Sequence, residues 1–169
     1  MRKILLWMTF VSTLTVQLCA ETFMDTAWAK KICDAWNQNR TLTHELLAWS
    51  KNNGTKGYKL IRLYRTECKA NSAVELKIAP KGGKALCVSS GRISSEKADY
   101  SVDYMMHATT KDWGCMGEGS FGCGAMGAMV SGKLKFNGPK VEAMKVMGPF
   151  GAFLRLTGKV PSDKSTCPK

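Results

Sequence analysis

The sequence lacks the motifs that identify most enzymes and metalloproteins. It contains no G-x-S-x-G nucleophile elbow, no G-x-x-x-x-G-K-[ST] phosphate loop and no G-x-G-x-x-G directly after a predicted strand. It has no C-x-x-C pair and only two histidines, His44 and His107, which excludes the usual zinc and c-type haem sites. A Cys/His pair such as Cys115 with His107 is conceivable as nucleophile and base, but cysteines paired in disulfides would be inert. We therefore expect no catalysis, no cofactor and no bound metal.

Acidic residues are also scarce, with 13 against 25 lysines and arginines, so the formal net charge is +12. The basic residues are spread along the chain, and no recognition-helix, zinc-finger or base-stacking signature accompanies them. Two interpretations remain, a solvated surface or attraction to an anionic partner. We expect a solvated surface with weak contact to an anionic membrane surface, and no nucleic-acid partner.

A long apolar run occurs only at the N-terminus. Residues 1–20 read MRKILLWMTFVSTLTVQLCA, with Arg2 and Lys3 before the apolar stretch Ile4–Leu18. Polar residues interrupt this stretch, which is shorter than the ~20 residues of a spanning helix. The pattern predicts a secretory signal peptide rather than an anchor. A lipoprotein signal at Cys19 is the weaker alternative, because Val16–Leu18 lacks the small residues expected just before a lipidated cysteine. Residues 21–169 then form one exported domain, periplasmic or secreted.

Six cysteines remain after the leader: Cys33, Cys68, Cys87, Cys115, Cys123 and Cys167. An even count in an oxidising compartment predicts disulfides, although six cysteines permit many pairings. Our preferred pairs are Cys68–Cys87 between neighbouring strands, Cys115–Cys123 across a glycine-rich loop, and Cys33–Cys167 between the two ends of the domain.

The first half of the domain has the pattern of two helices followed by three strands. Trp28, Ile32 and Trp36 share one helical face within Asp25–Asn39, and Leu42, Leu46 and Trp49 predict a second helix ending at Gly54. From Gly57 the apolar period changes to two, and the turn signal at 80–83 separates two further strands.

The second half predicts two more strands and three helices. Strands are expected at 99–108 and 133–138, with a helix starting at Thr109 and a short helix over 125–130. A final helix is expected from Pro139, with a kink or break at Gly148–Pro149.

Seven of the ten methionines lie between residues 105 and 147. Methionine is flexible and polarizable, so such a cluster suits a surface that adapts to variable apolar shapes, although core filling is its commoner use.

Several segments of this half resemble the sterol carrier protein family. They are Ala98–Tyr100 opening a strand, Lys111–Trp113 in a helix, the Gly-Lys-Leu strand within 131–139, and Ala143–Met144 in the last helix. The resemblance is good over 98–147 and moderate over 57–91. It implies an α/β (α+β) fold with a five-stranded, mostly antiparallel sheet covered on one face by helices. It also implies a hydrophobic tunnel that takes a sterol, fatty acyl chain or phospholipid, without catalytic residues.

With the predicted leader, the resemblance implies an exported lipid-binding or lipid-transfer protein whose ligand need not be a sterol. The alternative is a disulfide-stabilised interaction module without a lipid ligand. Nine residues are expected to line the lipid site: Trp113, Met116, Phe121, Met126, Met129, Phe136, Met144, Met147 and Phe150.

Overall fold

The computed structural model describes residues 21–169, so the predicted leader lies outside the described residues. The helices are α1 (Thr26–Gln38), α2 (Leu47–Lys51), α3 (Thr110–Glu118), α4 (Ala125–Val130), α5 (Lys140–Lys145) and α6 (Met147–Lys159). The strands are β1 (Lys59–Arg65), β2 (Val74–Lys81), β3 (Lys84–Arg92), β4 (Tyr104–Ala108) and β5 (Lys135–Asn137). None of the helices within residues 21–169 has the length and apolar character needed to span a bilayer.

The five strands form one sheet in the order β3-β2-β1-β4-β5. Three of the four strand pairs are antiparallel, and β1 pairs with β4 in parallel. The predicted mixed α+β fold with a mostly antiparallel sheet is therefore confirmed. The parallel pair exists because the chain crosses over the sheet between β3 and β4.

One face of the sheet packs against the helices. Ile61, Leu76, Tyr104 and Met106 point to this side and are at most 1% exposed. The helix α1 lies over β2 and β3, where the Trp36 indole donates to the Ala85 carbonyl over 2.9 Å. Its N-terminus is capped by Asp25, whose carboxylate accepts from the Trp28 amide. This arrangement fixes the core and leaves β5 at an open edge.

The opposite face carries charged residues under the segment 93–103. Arg62 and Glu75 pair across β1 and β2 with an Nη2–Oε2 distance of 2.7 Å, and both side chains are nearly buried. The same guanidinium donates to the Glu96 carbonyl over 2.6 Å, which ties the segment to the sheet. Burying both charges is tolerated because each is paired and hydrogen-bonded.

The structure corrects two of the three preferred disulfides. The bonds are Cys33–Cys87, Cys68–Cys167 and Cys115–Cys123, with Cα–Cα distances of 5.3, 5.4 and 5.7 Å. Only the short loop Cys115–Cys123 was paired correctly. The errors came from pairing Cys68 with the wrong partner: the packing of α1 on the edge strand brings Cys33 to Cys87, and the C-terminal tail returns to the end of β1.

Several predicted element boundaries were also wrong. The second helix is a π-helical turn, Thr41–Glu45, followed by the short α2, and β4 begins at Tyr104 rather than Asp99. The break in the last helix falls at Val146, before the predicted Gly148–Pro149. Pro149 lies in the first turn of α6, where its missing N–H costs no helical hydrogen bond.

Candidate functional site

The most apolar of the described grooves lies at the β5 edge of the sheet and has a volume of about 370 Å³. It is bounded by α4, the start of β5, α5 and the first residue of α6, and it opens to solvent. The residues that line it are Met126, Met129, Val130, Gly132, Leu134, Lys135, Phe136, Lys140, Met144 and Met147. Four methionines among them give the wall a deformable apolar surface.

Helical spacing places the wall residues. In α4, Met126, Met129 and Val130 stand at i, i+3 and i+4, so they share one face of the helix. In α5, Lys140 and Met144 stand at i and i+4 and face the groove from the other side. Two short helices therefore form the two walls, with β5 between them.

The floor of the groove connects to the core through aromatic rings. Phe136 packs edge-on against Tyr104, with ring centroids 4.9 Å apart and planes at 82°. Tyr104 in turn contacts Phe150 of α6 at 6.0 Å. The space between sheet and helices behind this floor is occupied by side chains, Trp36 and Phe153 among them. In the described residues the apolar space is an open groove, and an enclosed tunnel remains a proposal.

The nine predicted lining residues fall into three groups. Five line the groove: Met126, Met129, Phe136, Met144 and Met147. Trp113, Met116 and Phe150 are at most 2% exposed and belong to the core, and Phe121 is fully exposed on a turn outside the groove. The core residues were included because apolar periodicity does not distinguish the inner side of a helix from a ligand-facing side.

The sequence interpretation missed the remaining five lining residues, namely Val130, Gly132, Leu134, Lys135 and Lys140. Val130 follows Met126 by four residues, and Lys140 precedes Met144 by four, so helical spacing alone could have identified both. The two lysines are the only charged residues that line the groove. Its charge is therefore positive, and no carboxylate lines it to oppose an anionic group.

A polar cluster around the buried Lys59 ammonium fixes the inner side of α5. The Glu142 carboxylate accepts from Lys59 Nζ over 2.8 and 2.6 Å, from the Tyr104 hydroxyl over 2.9 Å and from Asn52 over 2.5 Å. The Lys59 side chain is fully buried, and its Nζ lies 4.7 Å from the Trp49 ring centroid. Glu142 thereby fastens one wall of the groove to the sheet.

Burial decides the pKa directions in this cluster. Desolvation lowers the pKa of Lys59 below its ordinary value, although the Glu142 carboxylate acts against this shift. Desolvation also raises the pKa of the Tyr104 hydroxyl, against the hydrogen bond donated by Trp49. Tyr104 therefore stays protonated and remains a donor to Glu142 throughout the physiological range.

The conceivable Cys115–His107 pair is not assembled. Cys115 is bonded to Cys123, while His107 stacks on Tyr64 with centroids 4.5 Å apart and shares a hydrogen bond with Thr66 Oγ1. His107 lies on the sheet face opposite Tyr104, as the strand alternation predicted. Its pKa is lowered by burial and by the nearby Lys135.

No protein-family model and no curated protein matches the chain. Solved structures do match. The crystal structure of sterol carrier protein 2 aligns with a TM-score of 0.50 and 16% identity, covering 81% of this chain and 98% of that one. The fold is that of sterol carrier protein 2.

Two further solved structures align less closely. A conserved hypothetical protein from Thermus thermophilus has a TM-score of 0.44 and 16% identity, covering 87% of this chain and 97% of that one. A UbiJ–SCP2 ubiquinone synthesis protein has a TM-score of 0.45 and 12% identity, covering 78% of this chain and 92% of that one. At these scores neither adds to the functional argument.

Proposed function

We propose that this protein is an exported lipid-binding or lipid-transfer protein that holds a sterol, fatty acyl chain or phospholipid tail in the groove between α4 and α5. The observation that carries the proposal is the groove itself. It is lined mainly by methionine, leucine, valine and phenylalanine, and its volume lies within the roughly 300–1,000 Å³ of small-molecule sites. The sterol carrier fold supports the same class of ligand by analogy.

Export is part of the proposal. The three disulfides are compatible with an oxidising compartment, and the N-terminal sequence has the layout of a signal peptide. We also propose weak contact with an anionic membrane surface, because a carrier must meet the membranes from which it takes lipid and to which it delivers lipid. No catalytic step is assigned to the site.

The test is uptake of a fluorescent fatty acid kept below its micelle concentration. Met129→Asp and Met144→Asp each place a carboxylate on the groove wall, where an apolar tail would have to desolvate it. We expect each to weaken binding at least about tenfold, since the cost exceeds about 1.4 kcal/mol. Circular dichroism checks that the fold persists.

Val88→Asp is the matched control. Val88 is a 49% exposed apolar residue on β3, outside the groove, so this variant adds the same charge without touching the site. Equal uptake by the wild-type protein and both methionine variants would refute the groove as the binding site, as would equal losses in all three variants.

A protein-interaction module is the second candidate, because three of the large apolar side chains that line the groove, Met126, Val130 and Met144, are exposed. Native mass spectrometry of the purified protein distinguishes the two. Co-purifying lipid supports a carrier, whereas a lipid-free protein with a tightly bound polypeptide supports the module.

A further inference from the structure

The exposed apolar residues of this protein are concentrated in one part of the fold. Among residues 21–169, six large hydrophobic side chains are exposed, and five of them are Phe121, Met126, Val130, Val141 and Met144. We call these five residues the docking rim. Single exposed apolar residues need no explanation, but a cluster of them on a small domain marks an interaction surface.

The rim is continuous with the mouth of the groove. Met126, Val130 and Met144 themselves line the groove, and Val141 follows Lys140, another lining residue, on α5. An apolar molecule leaving the groove therefore meets this surface first.

Phe121 is held at the rim by the architecture of its loop. It occupies the first central position of the tight turn Ser120–Cys123, which is closed by a 3.0 Å hydrogen bond from the Cys123 amide to the Ser120 carbonyl. Gly122 follows it with φ of 75°, as a type II turn requires. The Cys115–Cys123 disulfide ties the turn to α3, and the Gly122 backbone packs against α4 at Gly127. The ring thus projects from a rigid base.

The charge around the rim is predominantly positive. Residues 118–147 contain four lysines, Lys133, Lys135, Lys140 and Lys145, and two acids, Glu118 and Glu142. The Glu118 carboxylate accepts from the Ser120 hydroxyl over 3.1 Å, in the turn that carries Phe121. Glu142 is already paired with Lys59 and accepts from two further donors, so it does not offset the lysines. An exposed apolar cluster flanked by an excess of lysines is complementary to an anionic phospholipid surface.

We propose that the docking rim seats this protein on a bilayer that contains anionic phospholipid. Phe121 and Val141 enter the interface, and the lysines contact the phosphate groups. The groove then opens directly onto the membrane, so that a lipid passes between them without crossing water. The proposal names the partner of the groove and rests on the proposed function.

The experiment is flotation with vesicles of neutral phosphatidylcholine or of phosphatidylcholine with phosphatidylglycerol. Mass spectrometry first identifies the N-terminus of the purified protein, because the apolar stretch Ile4–Leu18 would itself bind vesicles. Every variant is compared with wild-type protein carrying the same N-terminus. The double variant Phe121→Ser/Val141→Ser removes rim residues that do not line the groove. The control Val88→Ser removes the sixth exposed apolar residue, on β3.

We expect binding to the anionic vesicles, and a reduction of at least about tenfold in the double variant but not in the control. Lys145→Glu should weaken binding at least about fivefold, whereas Lys84→Glu, at the first residue of β3, should not. Salt at ~0.5 M should weaken the wild-type binding through screening.

Equal binding to neutral and anionic vesicles, or an unaffected double variant, overturns the proposal. A wild-type dimer that the double variant dissociates, without vesicle binding, also overturns it in favour of self-association. Uptake of the monomeric fluorescent fatty acid, measured without vesicles, distinguishes a failure of the docking proposal from a failure of the proposed function. The double variant should retain uptake, and a wild-type protein that docks but takes up no fatty acid refutes the proposed function alone.

Discussion

At the scale of single residues, Lys59 and Glu142 decide how α5 is held over the groove. Lys59 is the first residue of β1 and is fully buried, and its carboxylate partner lies 83 residues further along the chain. The ammonium also faces the Trp49 and Tyr104 rings at 4.7 and 5.3 Å. Neither residue could be identified from the sequence, since a lysine beside an apolar run has the pattern of a strand end and nothing in the sequence indicates its partner.

We expect Glu142→Ala to destabilise the fold by about 3–5 kcal/mol, because it leaves the Lys59 ammonium buried without a counter-charge. Replacing Lys59 as well, in Glu142→Ala/Lys59→Met, should recover much of this loss. Urea denaturation of both single variants and the double variant measures the coupling. Additive effects of the two substitutions would show that the pair does not act as a unit.

The same pair predicts a pH dependence. Burial lowers the pKa of Lys59 in the folded protein below its ordinary 10.5. At a pH between the folded-state and unfolded-state pKa of Lys59, the unfolded chain therefore binds more protons than the folded protein. The free energy of unfolding therefore rises with pH in that window. In Glu142→Ala the carboxylate that opposes the shift is gone, so the pKa of Lys59 falls further and the rise should begin at a lower pH than in the wild-type protein. Parallel curves for the two proteins would contradict this.

At the scale of elements, the contact between α3 and α6 depends on two glycines. A Cβ on Gly117 would lie 2.6 Å from the Gly158 Cα, so the two backbones touch where the helices cross. From the sequence, Gly117 was placed in a glycine-rich loop between Cys115 and Cys123. The structure instead assigns these glycines separate roles, with Gly117 at a helix crossing and Gly119 in the left-handed conformation that ends α3.

Gly117→Ala should therefore destabilise the protein by about 1–3 kcal/mol, because neither backbone can yield at the crossing. Gly114→Ala is the matched control in the same helix, since a Cβ there has no neighbour within 4 Å. It should be neutral or stabilise by up to about 1 kcal/mol through helix propensity. Thermal denaturation compares the two, and equal stability would mean that the crossing is looser than described.

The local sequence pattern predicted the bounds of α1 well and those of β4 poorly. α1 follows the predicted span closely, because Trp28, Ile32 and Trp36 form one apolar stripe and Asp25 caps the first turn. The segment 99–103 was predicted as part of β4, but Asp103 turns inward instead and accepts from the Leu60 and Asp99 amides over 2.9 and 2.8 Å. Alternation of apolar residues does not reveal such long-range hydrogen bonds.

At the scale of the whole molecule, the sheet and its helical cover were predictable, and the cysteine pairing was not. The period-two and helical segments predicted the separate strands and helices. The resemblance to the sterol carrier protein family implied their assembly into one five-stranded α+β fold, which the crystal structure of sterol carrier protein 2 shares. The pairing Cys68–Cys167 depends on where the C-terminal tail lies. The buried Arg65 positions that tail by donating to the Lys164 carbonyl over 2.7 Å.

The central claim, that the α4–α5 groove holds a lipid tail, is tested most directly by photocrosslinking. The protein is incubated with a fatty acid that carries a diazirine on its tail, irradiated and digested, and the modified residues are identified by mass spectrometry. The account predicts labels on groove residues such as Met129, Met144 and Met147, and their loss when unlabelled lipid competes. Labels confined to other surfaces, or labelling that unlabelled lipid does not reduce, would contradict it.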